Sequence, residues 1–547
     1  MAWRLRFFPF LFFFTFILQF TSPAIGQSGT YTREDTLRGY LGKFRTVFDV
    51  KHYNLDVSVD VGSRFISGRN DILLQAVHPF SMIQLDLFRN MILDSIRYRN
   101  DRIPFSREGN AFFVDFRQTV DTNDTLTVSV YYHGSPIVSS NPPWDGGFVW
   151  AADSLGRSWV GVACEGTGAS LWWPNKDHLS DEPDSMHITL RYPEKLNAVS
   201  NGSLVREKVL PGGMKASTWK VSYPINNYNV TLNLANYGYF SDVYRNKQGK
   251  LLQLNYHVLD YNMDVAPEHF EQVKGMLACY EHYLGEYPFW KDGYALVETP
   301  YWGMEHQSCV AYGNDFENNE YGFDYIIIHE SAHEYWGNSV STRDHGELWI
   351  HESFATYMEA LYVEYFHGRD SAQLYLNLQR DLIMNVKPIL GPLYVNYNGW
   401  TDADMYYKGS WMLHSLRNTV ANDSLWFIMF RDLYQNFKYQ TVSSTDIIDF
   451  LNGMTDIDLN PVFEQYLTTT DVPVLKVNLR ERKNDVRITY KWKNVVKEFN
   501  MPVIVNTGED QEMRLYPAKK KQKVIFSGKT ADQVHFDNDR FYYQIDL

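Results

Sequence analysis

The stretch Ile326-Ile327-Ile328-His329-Glu330-Ser331-Ala332-His333-Glu334-Tyr335-Trp336 contains H-E-x-x-H and has no Pro or Gly before Gly337. Read as a helix, it sets residues i and i+4 on one face about 5–6 Å apart, so His329 and His333 can turn ring nitrogens towards one ion. Glu330 lies one step round from His329, beside that ion, where a carboxylate can take a proton from water. Two histidines at this spacing also occur as ordinary core or surface residues. A catalytic zinc site needs a third protein ligand and one open position. Glu352 is placed to supply the ligand, because the 18 residues between it and His333 allow a short connection and the first turn of a second helix. That helix is expected from Leu348 to Phe366, with Ile350, Phe354, Tyr357, Met358, Leu361 and Tyr365 as its apolar positions. The adjacent His351 is an alternative ligand, roughly a quarter-turn away. The longer pattern H-E-x-x-H-x-x-G-x-x-H fails, since Trp336 and Ser339 stand where its Gly and third His belong.

Outward from this segment, amphipathic stretches at helical spacing run from Ala266 to about Tyr466, as in Phe270, Val273, Met276, Leu277, Tyr280 and Tyr283. Between Phe48 and Tyr239 the period is two instead, as in Tyr53, Leu55, Val57 and Val59, with turn signals at Asn201-Gly202 and Pro211-Gly212-Gly213. Alternation returns past Val472, in Val486, Ile488, Tyr490 and Trp492. The run Lys519-Lys520-Lys521 reads as a solvated edge or turn. The fold class expected is multidomain α+β, with residues 27–250 as an N-terminal β domain, 251–470 as the catalytic domain and 471–547 as a small β-sandwich.

Composition excludes several classes. A hydrophobic fraction of 44% rules out a disordered chain, and a formal charge of −14 argues against nucleic acid as a partner. The three cysteines, Cys164, Cys279 and Cys309, form neither a disulfide framework nor a Cys–His zinc module. At the N-terminus, Arg4 and Arg6 precede the apolar run Phe7 to Phe20 and the small-residue stretch ending Ala24-Ile25-Gly26. This reads as an export signal over residues 1–26, too short to span a membrane, so the mature chain is expected to be secreted or periplasmic without a transmembrane helix. An uncleaved N-terminal anchor is the alternative. Oligomeric state has no sequence signal.

The segment His329-Glu330-Ser331-Ala332-His333-Glu334-Tyr335-Trp336-Gly337-Asn338 resembles the H-E-L-A-H-Q-W-F-G-N of the aminopeptidase N and leukotriene hydrolase family of gluzincin zinc peptidases. Leu348-Trp349-Ile350-His351-Glu352-Ser353-Phe354-Ala355-Thr356-Tyr357 resembles the same family's L-W-L-N-E-G-F-A-T-Y, at the matching interval. Trp302-Gly303-Met304-Glu305-His306 is similar to its G-x-M-E-N, with Trp302 for Gly and His306 for Asn. The resemblance implies Zn²⁺ held by His329, His333 and Glu352, with Glu330 as general base. It implies Met304 and Glu305 at the substrate, Glu305 holding a peptide's free α-ammonium, and Glu165 in Ala163-Cys164-Glu165-Gly166 as a second anchor. Tyr406-Tyr407-Lys408-Gly409 resembles Y-E-K-G, which makes Tyr406 the donor to the tetrahedral oxyanion, with Tyr407 as the competing choice. Glu359 is either an orienting partner of a ligand histidine or a solvated helix residue. The family fold implies a β-saddle, a thermolysin-like catalytic domain and a β-sandwich, without the large helical fourth domain of many members. The activity implied is removal of single residues from peptides with a free N-terminus. An endopeptidase on the same zinc core and a catalytically silent peptide-binding protein are the alternatives, while epoxide hydrolysis has no supporting feature.

Overall fold

The computed structural model describes residues 31–483, 485–508 and 512–547, so the expected export signal lies outside the described residues. The chain is multidomain α+β. An eight-stranded sheet opens it, whose central strands Phe48–Asp60 and Phe65–Ala76 pair antiparallel. Tyr53, Leu55, Val57 and Val59 of the first strand are all buried, as an alternating strand with one face on a core requires. A four-stranded sheet made of Asn197–Ser200, Leu232–Ala235, Ser158–Ala163 and Gly147–Ala152 adjoins it and ends close to Glu165.

A five-stranded mixed sheet follows. Its strands are β1 (Tyr237–Arg245), β2 (Leu251–Leu259), β3 (Tyr294–Glu298), β4 (Gly303–Met304) and β5 (Val310–Tyr312), in the spatial order β1-β2-β3-β5-β4. The domain boundary expected at 250/251 therefore falls in the turn of one hairpin, β1–β2, and separates two strands of a single sheet. The cause is visible in the pattern: period-two alternation is the same on both sides of that turn and changes only where helices begin at Ala266. β4 forms the outer edge, antiparallel to β5. Met304 and Ala311 face the β-sheet core of the N-terminal part, whereas Leu296, Val310 and Tyr312 belong to the core beneath the helices.

Three helices build the centre: α1 (Tyr325–Ala332), α2 (Trp349–His367) and α3 (Asp404–Val420). Asp324 caps α1, its Oδ1 accepting from the Ile326 and Ile327 N–H groups at 3.0 and 3.5 Å. Two turns of helix are marginal alone, so burial of Ile326, Ile327 and Ile328 is what holds α1 in place. α3 crosses α2 at Gly409, where an added Cβ would stand 1.7 Å from Ser353 Oγ; any side chain there would push α3 and Tyr406 off the site.

Two small sheets finish the chain, one of four strands around Val474–Arg482 and Asp485–Lys493, the other of three around Val503–Asn506. Their apolar faces merge with the core under the helices. No large helical domain occurs among the described residues. No described helix is long and apolar enough to cross a membrane.

Candidate metal centre

His329 and His333 leave the last turn of α1, and Glu352 comes from the first turn of α2. The two Nε2 atoms lie 3.3 Å apart, and Glu352 Oε2 is 3.5 and 3.4 Å from them. Donors about 2.0–2.1 Å from one tetrahedral ion stand roughly 3.3–3.4 Å from one another, so this triangle has the size zinc demands. Glu352 Oε2 is buried without a hydrogen-bond partner, a cost that a cation removes. Burial opposes charge on His333, but Glu352 outweighs it and holds the imidazole up at about 9. The site thus draws positive charge to itself.

The far side of each ring is fixed. His329 Nδ1 is 2.7 Å from Glu359 Oε1, and His333 Nδ1 is 2.9 Å from the Trp336 carbonyl. With both Nδ1–H groups donating, the Nε2 lone pairs face the metal position. Glu359 is itself held, because Tyr375 Oη donates to its Oε2 at 2.6 Å and Gln379 Nε2 at 3.3 Å. It is a buried orienting residue, not a solvated one. Removing it in Glu359→Ala is expected to weaken zinc binding about 10–100-fold, measured by chelator competition; unchanged affinity would assign the orientation of His329 to packing alone.

His351 does not join the triangle. Its Nε2 accepts the Thr342 N–H at 2.9 Å, and burial pushes the ring down to about 3, so it stays neutral with its proton on Nδ1.

Glu330 is buried beside the triangle. Burial pushes its carboxyl up to about 7, against the pull of His329 and then His333. Its Oε1 lies against Gly303, where an added Cβ would come within 2.5 Å, so the edge strand passes directly by this carboxylate only because the residue is glycine.

Beyond the metal position, Glu165 and Glu305 converge. Glu305 Oε1 accepts from Tyr228 Oη at 2.9 Å, and the Glu305 carbonyl accepts from Asn338 Nδ2 at 2.8 Å. Glu165 Oε1 is buried without a partner, and burial followed by the Glu305 charge pushes Glu165 well above the usual carboxylate range. One donor atom each of Glu165, Glu305 and His351 fall within 4.8 Å of one another, a spacing that would also suit an ion. His351 has no lone pair left to offer, so two carboxylates with an orphan oxygen fit an ammonium better. Met304 is buried on β4 with its side chain in the core of the N-terminal part. His306 is fully buried and pushed down to about 3, a neutral ring.

Tyr406, near the start of α3, has its ring 5.9 Å from that of His329. Burial raises its hydroxyl first, and the charges of Glu352, Glu165, Glu305 and Glu330 add to that, so it remains a protonated donor. Tyr407 is raised to about 12 by burial and then by Glu359 alone, which puts its hydroxyl away from the four site carboxylates. Residues 381–403 cross as a strap without helix or strand to the N-terminal part. There Tyr394 packs edge-on against Tyr40, and Asn398 lies against Gly166, next to Glu165. Tyr228, Tyr375, Gln379 and this strap have no signature in the sequence, whereas Asn338 closes the H-E-x-x-H segment that resembles the family's motif.

Residues 268–466 match the model of the peptidase family M1 domain. The part of the chain that carries the metal triangle is thus similar to the peptidase family M1 domain. Over 492 residues the chain is 22% identical to an aminopeptidase N of Lactobacillus helveticus, covering 80% of the chain and 53% of that relative. A glutamyl aminopeptidase of Rattus norvegicus is 22% identical over 341 residues, 57% of the chain and 35% of the relative. The chain thus spans about half or less of the length of these relatives. Among solved structures, an M1 zinc metallopeptidase from Deinococcus radiodurans superposes with a TM-score of 0.66 at 20% identity, over 78% of this chain and 94% of that one. A two-domain M1 zinc metallopeptidase bound to L-tryptophan gives 0.67 at 20% identity, over 78% and 95%. These neighbours share the fold. Donor set and family agree on zinc as the metal.

Proposed function

We propose that this chain is a zinc-dependent aminopeptidase that hydrolyses the first peptide bond of peptides with a free N-terminus. The observation that carries the reading is the Glu165–Glu305 pair beside the His329–His333–Glu352 triangle. His329, His333 and Glu352 would hold zinc, which when bound would supply Lewis acidity to the scissile carbonyl and to water near neutral pH. Glu330 takes the proton of the attacking water and passes it to the leaving amine. Tyr406 donates to the oxyanion that develops on the scissile carbonyl. Glu305 and Glu165 hold the α-ammonium, so a chain that begins there is placed for attack and one that continues through is not. Export through the N-terminal Arg4–Gly26 segment is part of the same proposal, and fractionation of the producing cell tests it.

Hydrolysis of an aminoacyl chromogenic substrate beside its N-acetylated twin tests the exopeptidase reading. Charge-assisted hydrogen bonds to the ammonium are expected to favour the free amine by on the order of 10–100-fold in kcat/KM. Equal cleavage of both would replace the reading with an endopeptidase. No cleavage of either by zinc-loaded protein would leave a peptide-binding protein.

A further inference from the structure

Trp302 stands beside the catalytic group with a large exposed ring. It is 42% exposed. One stacking contact holds it, to Tyr325 at 5.6 Å between centroids and 25° between planes, and Tyr325 in turn stacks on His329 at 5.4 Å and 19°. Its indole N–H donates to Asn314 Oδ1 at 3.0 Å. Asn314 is anchored as well, its Nδ2 donating to Asp324 Oδ1 at 3.0 Å, the same oxygen that caps α1. The indole is therefore locked to the helix that carries the metal ligands, with its one polar atom already used, and what it offers solvent is apolar ring.

β4 points this ring at a defined part of a bound peptide. β4 is the outer strand of its sheet, with no strand on its other side among the described residues. The Trp302 carbonyl accepts from the Gly313 N–H on the β5 side at 2.8 Å, so by strand alternation the N–H and C=O of Gly303 face outward. An extended peptide can pair with that edge. With its ammonium at the Glu305 carboxylate, it runs antiparallel to the chain direction from 302 to 305, so that its first residue lies opposite Met304 and its second, past the scissile bond at Glu330, lies opposite Gly303 within reach of the Trp302 ring. This second residue is the one on the leaving side of the scissile bond. Beyond it lies a groove of about 370 Å³, lined by Trp302, Trp159, Tyr301, Glu298 and Asp315.

We propose that Trp302 is the platform for the second residue of the substrate and selects flat side chains there, aromatic rings or an arginine guanidinium. This rests on the aminopeptidase reading and adds the specificity of its leaving side. Aromatic and guanidinium groups stack on an indole face, and the exposed carboxylate of Asp315 at the groove favours arginine further.

The test compares kcat/KM for Ala-Phe-Ala, Ala-Arg-Ala and Ala-Leu-Ala in the wild type and in Trp302→Ala. The expected preference for Phe and Arg over Leu is about tenfold in the wild type and falls to about one in the variant. The ratio cancels any general loss of folded enzyme. Should Trp302→Ala give no activity, Trp302→Phe is expected to keep the preference and Trp302→Leu to lose it. Equal ratios in those two variants, a ratio unmoved by Trp302→Ala, or no preference in the wild type overturns the platform alone. Failure of the zinc-loaded wild type to hydrolyse any of the three overturns the aminopeptidase reading beneath it.

Discussion

Glu330→Gln is expected to keep its zinc and lose its turnover, with kcat down by about 10²–10⁴-fold. The amide has the shape of the carboxylate, so it fits the narrow space against Gly303, where the carboxylate already lies too close to tolerate a Cβ. It removes only the capacity to accept a proton. The ligand geometry does not depend on Glu330: His329 is oriented by Glu359, His333 by the Trp336 carbonyl, and Glu352 is carried by a separate, buried helix. Metal content and kcat measured on the same preparation separate the outcomes. Full zinc with a kcat within tenfold of wild type would remove Glu330 from the base role. Lost zinc would mean that its charge helps hold the ion. Burial that lifts its carboxyl to about 7 suits a group that must both take and return a proton near neutrality.

The ligand triangle was legible because each part of it has local arithmetic: four residues put two side chains on one helical face, and a short interval carries the third. What the helix does after His333 was not legible. The stretch has no Pro or Gly before Gly337, yet α1 ends at Ala332 and His333 occupies its C-cap. The stop comes from local contacts just downstream. Trp336 turns its carbonyl to His333 Nδ1 and bridges to Val340, and no propensity encodes that. Spacing favoured Glu352 as the third ligand and left His351 as the alternative, and what takes His351 out of the triangle is Thr342, nine residues away in the chain, whose N–H donates to the imidazole nitrogen. The ammonium pocket is further still from local reading. Glu165, Tyr228 and Glu305 meet across separations of 63 and 77 residues (228 − 165 and 305 − 228), and only family resemblance singled out the two carboxylates. Tyr228 is one of 38 tyrosines, with nothing in its neighbours to mark it. The boundary between the first two parts of the chain was missed for a related reason, since strands of two different sheets share one period.

Tyr406→Phe is expected to lower kcat by about 10²–10³-fold with little change in zinc content, whereas Tyr407→Phe leaves kcat within a few-fold of wild type. The two residues are adjacent on α3, so they point about 100° apart and cannot both face the metal. The Tyr406 ring lies 5.9 Å from that of the ligand His329, and the charges around each hydroxyl agree with that placement. Tyr406 feels Glu352, Glu165, Glu305 and Glu330, the carboxylates around the reacting bond, while Tyr407 feels Glu359 behind His329. Burial keeps the Tyr406 proton in place well above its ordinary range, so the hydroxyl donates to an oxyanion without surrendering the proton to solvent first. A donor that tightens only as charge develops lowers kcat and kcat/KM together when it is lost and leaves ground-state binding alone. A Tyr406→Phe enzyme with raised KM and normal kcat would make the hydroxyl a substrate-binding contact. A large loss in Tyr407→Phe would transfer the oxyanion role to its neighbour. Gly409 gives the same argument a structural control, because Gly409→Ala must displace α3 from Ser353 and should lose activity through Tyr406 while both tyrosines remain in the chain.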